Sequence, residues 1–402
     1  MKLAIVSDMH IGYERFEEDA YRQAREALEK AAEMADVILI PGDVFDKRSP
    51  KPEVIAQAIN IFRDLSRRKW KASVAELRTD TENRMFTNVP IIAIPGTHER
   101  TAEGKDNVLK LLALAGLMVD ASESTAVVEC DGEKVAICGL GGVSEERVME
   151  CIKKLDPKPV QGMFNVFMIH QSIYEILPFS DDFIKYSDLP KGFDLYVNGH
   201  IHSRVEATAH GKKFLIPGST VLTQLKEGEQ ESKGFIIFDT KTGNHKFEQI
   251  SSRPFICTRI KLSDATPKQV VEKAEEAIEH ALKGKEKPII KLIFDGTIAK
   301  GYAGSDMQLR NLLSRYSSKA ILDFDTSKMK SPDLEREIED IRGGNLSGLS
   351  IKEIGAATFA SKLKEHKYEG GVDAVRLFEV LSKDGSKEKV IKEAAELLDT
   401  EK

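Results

Sequence analysis

Five apolar runs of this chain end in residue types that bind metals, and no other feature restricts the fold as much. Within a residue or two, LAIV, VILI, IIAI, FNVFMI and DLYV lead into Asp8-Met9-His10, Gly42-Asp43, Gly96-Thr97-His98-Glu99, His170-Gln171 and Gly199-His200-Ile201-His202. Short apolar runs bounded by loops read as buried strands. The ends of strands are where a rigid sheet positions the side chains of the loops that follow. Any one of these stretches has a bland explanation: DxH and GD are common, and HxH can be a hydrogen-bonded surface pair. Taken together they do not, because five of the nine histidines of the chain lie in them. Imidazole mixed with carboxylate, without thiolate, suits manganese, iron or zinc. Two such ions sharing one carboxylate can polarise a phosphate.

The rest of the first half alternates strands with helices. Residues 16–34, rich in Ala, Glu, Lys and Arg, read as a helix, as do 53–66 and the stretch NVLKLLALAGL after Gly104. Further on the pattern is strand-rich and closes in a hairpin with Thr242-Gly243-Asn244 as its turn. The fold class expected is α/β, an α+β sandwich of mixed sheets with helices outside. Residues 67–88 form a polar insertion containing Arg67-Arg68-Lys69-Trp70-Lys71. They read as a solvated helix end and loop, with contact to phosphates as the competing reading.

From Phe255 the organisation changes. A strand leads to Thr266-Pro267-Lys268-Gln269, a helix start with Thr as N-cap, Pro at the first position and Gln completing a capping box. Val270, Val271, Ala274, Ala277, Ile278 and Ala281 then share one helical face, and two more strands follow. The tail carries a charged helix, a GGNLSG linker and further helices. The expected domains are 1–255, 256–330 and 331–402. At 402 residues the chain is too long for one typical core. A net charge of −6 excludes a globally basic surface, though not a local basic patch for nucleic acid. Four cysteines without a CxxC pair argue against a zinc ribbon or disulfide framework. With no signal peptide and no spanning segment read from the sequence, a cytoplasmic location and no membrane partner are expected.

Over residues 1–255 the chain resembles calcineurin-like metallophosphoesterases, whose signature is the order DxH, GD, G-N-H-(D/E), H and GHxH. GDVFD, HQ, GHIH and the PGS that follows it, with the small domain and helical tail, resemble the meiotic-recombination-eleven family of double-strand-break repair nucleases. The resemblance implies a four-layer metallophosphoesterase fold with a small α+β capping domain and a helical C-terminal tail. It implies two manganese ions, with magnesium or another divalent ion as the alternative. Asp43 would bridge them, Asp8, His10 and His202 would complete the first site, and His170 and His200 would bind the second. His98 would be catalytic, protonating the leaving 3′ or 5′ oxygen or stabilising charge on the phosphate, and an imidazole titrates near neutrality. The activity implied is exo- and endonucleolytic hydrolysis of DNA. Implied partners are DNA, an ABC-type repair ATPase docked by the C-terminal helices, and a second copy of the chain through the helices after the second and third motifs.

Thr97 departs from the pattern, which has asparagine there. A threonine hydroxyl is a shorter ligand that can bind an ion, hold a water, or leave the second site weak; it can also merely cap its turn. Glu99, in place of aspartate, is expected to orient His98. Asp46 reads as bonding to its loop backbone. Lys47, Arg48 and Arg204 are candidate DNA contacts, although each can be solvated charge. Two rival readings remain: a phosphatase or phosphodiesterase for small substrates, and a weakly active subunit that tethers DNA ends.

Overall fold

The structure, a computed structural model, describes residues 1–78, 87–101, 105–180, 182–284, 287–302 and 304–331. The tail helices expected beyond residue 331 lie outside the described residues. In chain order the elements are β1 (Lys2–Ile5), α1 (Glu17–Met34), β2 (Val37–Pro41), α2 (Pro52–Ser66), β3 (Ser73–Arg78), β4 (Ile91–Ile94), α3 (Val108–Leu114), β5 (Val119–Asp120), β6 (Ser124–Cys130) and β7 (Glu133–Leu140). They continue with α4 (Val148–Leu155), β8 (Phe164–Ile169), β9 (Leu195–Asn198), β10 (Val205–Ala209), β11 (Lys212–Ile216), β12 (Gly234–Asp239) and β13 (His245–Gln249). Last come β14 (Phe255–Ala265), α5 (Pro267–Leu282), β15 (Ile289–Ile298), α6 (Arg310–Tyr316) and β16 (Ile321–Lys330).

The chain divides into two compact units. The first, Met1–Cys257 with Gly284–Ile289, holds a six-stranded sheet, β13-β12-β1-β2-β4-β5, and a seven-stranded sheet, β10-β11-β9-β8-β7-β6-β3. Between them lies an apolar core in which Leu3, Ile5, Leu39 and Ile92 meet Ile137, Met168, Val197 and Leu215. The outer face of the six-stranded sheet is covered by α1, α2 and α3. On α1 the buried residues include Ala20, Ala24, Ala27 and Ala31, a small-residue stripe that lets the helix lie close to the strands, while Glu17, Glu18 and Asp19 complement the dipole at its start. Helix α4, with Val148 and Ile152, covers the outer face of the other sheet. The result is helix, sheet, sheet, helix, the mixed α/β layering expected from the sequence.

One expectation fails. Within the insertion 67–88, Ser73–Arg78 is not loop: it is β3, the edge strand of the larger sheet, paired antiparallel with β6. Its exposed Glu76 and Arg78 suit an edge that must not recruit further strands. The Trp70 indole packs partly against the core and donates to the carbonyl of Leu65.

The second unit contains a three-stranded sheet, β14-β15-β16, with α5 and α6. Helix α5 begins with the expected capping box, in which the Thr266 hydroxyl accepts from the Gln269 amide and the Gln269 side chain returns to the Thr266 backbone. Val270, Ala274, Ile278 and Ala281 are its buried face.

Candidate metal centre

Strands β1, β2 and β4 run parallel in one sheet, and β8 and β9 run parallel in the other. The ends of these five strands carry every residue singled out from the sequence as a metal ligand. Asp8 and His10 follow β1, Asp43 follows β2, and Thr97 and His98 follow β4. His170 follows β8, and His200 and His202 follow β9. The two sheets are tied together at this edge. His170 Nδ1 donates to the carbonyl of Pro41 at 2.7 Å, and the His200 amide donates to Asp8 Oδ1 at 3.1 Å. The approach tolerates no side chain at Gly199, whose Cβ would stand 2.1 Å from the Pro41 carbonyl oxygen. Four site residues hold left-handed backbone: Asp8, His10, Asp43 and His200, with φ of 50°, 45°, 51° and 70°. Such conformations persist where surrounding structure over-determines them, and they cluster at functional sites.

Three groups of side chains come together among the described residues: Asp8, His10 and His202; Asp43, His170 and His200; and His10, Asp46 and His98. In the first, His10 Nε2 and His202 Nε2 face each other at 3.1 Å, with Asp8 Oδ1 3.7 Å from the latter. In the second, His170 Nε2 lies 3.2 Å from Asp43 Oδ2. The same Asp43 oxygen is 4.0 Å from His10 Nε2, so it stands between the first two groups.

These donors fit divalent cations. His170 Nε2 is buried and, though close to Asp43, makes no hydrogen bond. Two imidazoles have Nδ1 hydrogen-bonded, that of His170 to the Pro41 carbonyl and that of His202 to the Thr223 hydroxyl at 2.5 Å, while that of His10 faces Asp46 Oδ1 at 3.4 Å without a hydrogen bond. Each therefore presents Nε2, the arrangement in which outer partners orient metal-ligating histidines. The protons tell the same story. Burial pushes Asp8 up to about 6, and the charge of Asp43 adds to it. Asp43 is buried too, but the His170 imidazole beside it holds its carboxyl well below the usual range. Burial alone would lower His170, yet Asp43 lifts it to about 10. Burial, then His170, drives His200 down to about 4; burial, then His10, drives His202 down to about 2. An array this conflicted in its protonation is suited to a cation that replaces protons.

Beside the two groups lies His98, its ring 4.8 Å from that of His10 and perpendicular to it. Its Nδ1 meets the backbone carbonyl of Asp46. Asp46 thus differs from its sequence reading: its carboxylate faces His10 and its carbonyl faces His98. Glu99 differs as well. Its carboxylate is fully buried and accepts three backbone N–H groups, from Phe45 at 2.7 Å, Gly96 at 2.7 Å and Asp43 at 3.1 Å, instead of orienting the His98 ring. Burial, with Asp43 nearby, raises it to about 7. Thr97 Oγ1 is 3.4 Å from His200 Nδ1, at the second group. Sequence reasoning missed Thr223 and the Pro41 carbonyl, because nothing local in the sequence marks a partner that orients an imidazole from behind.

Of the basic residues singled out, Lys47 is exposed and ion-paired with Glu14 at 2.5 Å. The Arg204 guanidinium stacks over the Phe247 ring at 4.4 Å, and Arg48 is exposed.

Residues 1–204 match the calcineurin-like phosphoesterase family. The chain is similar to the DNA double-strand break repair protein Mre11 of Methanocaldococcus jannaschii, 25% identical over 303 residues that span 72% of this chain and 75% of the relative. It is also similar to the protein of the same name from Saccharolobus solfataricus, 26% identical over 306 residues spanning 72% and 74%. A solved archaeal phosphodiesterase aligns with 62% of this chain and 100% of its own at 16% identity, with a TM-score of 0.30.

Proposed function

We propose, for a chain that belongs to the calcineurin-like phosphoesterase family, that it is a metal-dependent DNA nuclease acting at double-strand breaks. Membership gives the reaction class, hydrolysis of a phosphoester aided by divalent ions. The observation that carries the finer reading is the position of Asp43 Oδ2 between two groups of imidazole and carboxylate donors, with His98 beside them. The relatives are named for DNA double-strand break repair, which supports DNA as the substrate.

Asp8, His10, Asp43 and His202 hold one ion in this reading, and Asp43, His170, His200 and Thr97 the other. Manganese suits the mixed donors. Such ions neutralise phosphate charge and make water acidic enough to attack at neutral pH. In the hydrolysis, the oxygen of water joins phosphorus and the bond to the leaving oxygen breaks. His98, protonated at both ring nitrogens, hands that oxygen its Nε2 proton, and the proton shed by the attacking water is returned to it through solvent. The Asp46 carbonyl holds Nδ1 of His98, which leaves Nε2 for this task. The second group has one carboxylate where the first has two, and Thr97 brings no charge, so it binds its ion more weakly.

In this reading residues 256–330 contact DNA and 331–402 dock an ABC-type ATPase. Lys47, Arg48 and Arg204 contact the DNA backbone. Self-association through α2 and α3 is supported by exposed Ile59, Leu111 and Leu114, apolar side chains 37%, 52% and 60% open to solvent. Among the described residues no helix is long and apolar enough to cross a membrane.

The test is manganese-dependent release of nucleotides from an end-labelled DNA duplex by wild type, His98→Ala and Thr97→Asn. The reading expects activity in wild type, its loss by about 10²-fold or more in His98→Ala, and equal or greater activity in Thr97→Asn at limiting manganese. Hydrolysis of a chromogenic diester without any action on DNA would replace it with the small-substrate reading.

A further inference from the structure

Glu99 is a buried carboxylate with no lysine or arginine paired to it among the described residues, and its three bonds all go to backbone N–H groups. Two lie on the loop after β2, at Asp43 and Phe45, and one on its own turn, at Gly96. The tie is returned, because Asp43 Oδ1 accepts the amide of His98 at 2.9 Å. The turn that carries His98 and the loop that carries Asp43 and Asp46 are therefore fastened to each other from both sides. That loop is also held by the stretch after β1, where His10 donates to the Asp43 carbonyl and Ile11 donates to the Val44 carbonyl and accepts from the Asp46 amide. Ile11 anchors the loop to β1 and does not set its distance from His98.

A carbonyl oxygen can only accept a hydrogen bond. The Asp46 carbonyl at His98 Nδ1 therefore requires the proton on Nδ1. We infer that Glu99 is a positioning residue that fixes the tautomer of His98, by holding the Phe45–Asp46 peptide against the His98 turn. The kinetic consequence rests on the reading of His98 under Proposed function; the tautomer itself does not.

The carboxylate form matters because of how the bonds divide. Oε1 serves Phe45 alone, while Oε2 serves both Asp43 and Gly96. Glutamine at this position has one acceptor and one donor end. It keeps most bonds by leaving its oxygen on Asp43 and Gly96, which sets its NH2 group against the Phe45 N–H. Glu99→Gln thus releases the peptide next to Asp46 and leaves the other arm in place.

The experiment is 15N spectroscopy of histidine side chains in the full chain, loaded with diamagnetic magnesium. His98 is assigned by the signal lost in His98→Ala. Wild type should show His98 purely as the Nδ1–H form. Glu99→Gln should show a mixture with the Nε2–H form. His210, whose Nε2 donates to the Leu189 carbonyl at 2.8 Å, is the internal reference and should keep the opposite tautomer throughout. Asp46→Asn leaves the carbonyl in place and should leave His98 unchanged. If Glu99→Gln does not fold, Glu99→Asp, which draws the oxygens back by one methylene, should give the same mixture. On a chromogenic diester with manganese, kcat should fall while KM stays constant, because the imidazolium delivers its Nε2 proton in the right direction only while Nδ1–H is held by the Asp46 carbonyl. A pure Nδ1–H form in folded Glu99→Gln or Glu99→Asp would overturn the inference, as would conversion by Asp46→Asn. Absence of diester hydrolysis in wild type would count against the proposed function and leave the tautomer result standing.

Discussion

Replacing Gly96 by alanine tests whether the two loops owe their chemistry to their closeness. Gly96 does not need glycine for its backbone, since its φ lies outside the left-handed region. Only the space is at issue. A Cβ there would stand 2.2 Å from Asp43 Oδ1 and 2.4 Å from the Asp43 amide nitrogen, where ordinary contact begins at 3.4 Å. The nitrogen is backbone and cannot swing away, so the loops must part by about 1 Å. That opening stretches the Glu99 bonds to Asp43 and Phe45 and the Asp43 bond to His98. Overpacking of this kind destabilises by about 1–3 kcal/mol. A misplacement of about 1 Å at a reacting centre costs about 10²-fold in rate. Because Asp43 Oδ2 faces both donor groups, manganese binding should weaken in both, and not in one. The assay pairs calorimetric titration with manganese and hydrolysis of a chromogenic diester, with thermal unfolding to register the strain. Wild-type affinity and stoichiometry in a stable Gly96→Ala protein would refute the argument that this approach positions Asp43.

Two further outcomes follow from the same structure. His170 is raised from an ordinary 6.5 to about 10 in the metal-free site, so its stabilising contribution is complete below about pH 6.5 and is lost as pH rises through 10. A cation at Nε2 must displace that proton, so apparent manganese affinity should climb between pH 7 and 9 by up to about tenfold per unit; a flat profile by titration would refute it. On α3, Leu114→Glu should disrupt self-association, since burying a leucine contributes about 2 kcal/mol, or about 30-fold in Kd; sedimentation showing an unchanged dimer would move the interface elsewhere.

The strand ends were legible because each combines a buried apolar run with residue types that rarely follow one by chance. The hairpin at Thr242-Gly243-Asn244 and the capping box at Thr266 were legible because turn and cap chemistry is local. β3 was not: Ser73–Arg78 is a polar edge strand with Val74 as its one fully buried residue, so it carries neither an apolar run nor a clean alternation. Glu99 and Asp46 were misread for another reason. Glu99 is held mainly by backbone N–H groups of a loop distant in sequence, which look the same under every residue name, and Asp46 meets two histidines, His10 and His98, brought to it from other strand ends.

That blindness falls on the part of the site that holds it together. Some of these groups repel: two imidazole nitrogens face each other at 3.1 Å, and Asp43 raises the cost of ionising buried Asp8 and Glu99. Four residues of the centre add left-handed backbone to this load. Within the ligand set the His170–Asp43 pair favours assembly in the absence of a cation, and the rest of the support must come from outside it. The Pro41 carbonyl on His170, the Thr223 hydroxyl on His202, the Glu99 clamp and the glycines that admit only backbone supply it. The residues that announce the chemistry in the sequence are therefore those the fold must constrain, and the residues that constrain them are of types that announce nothing.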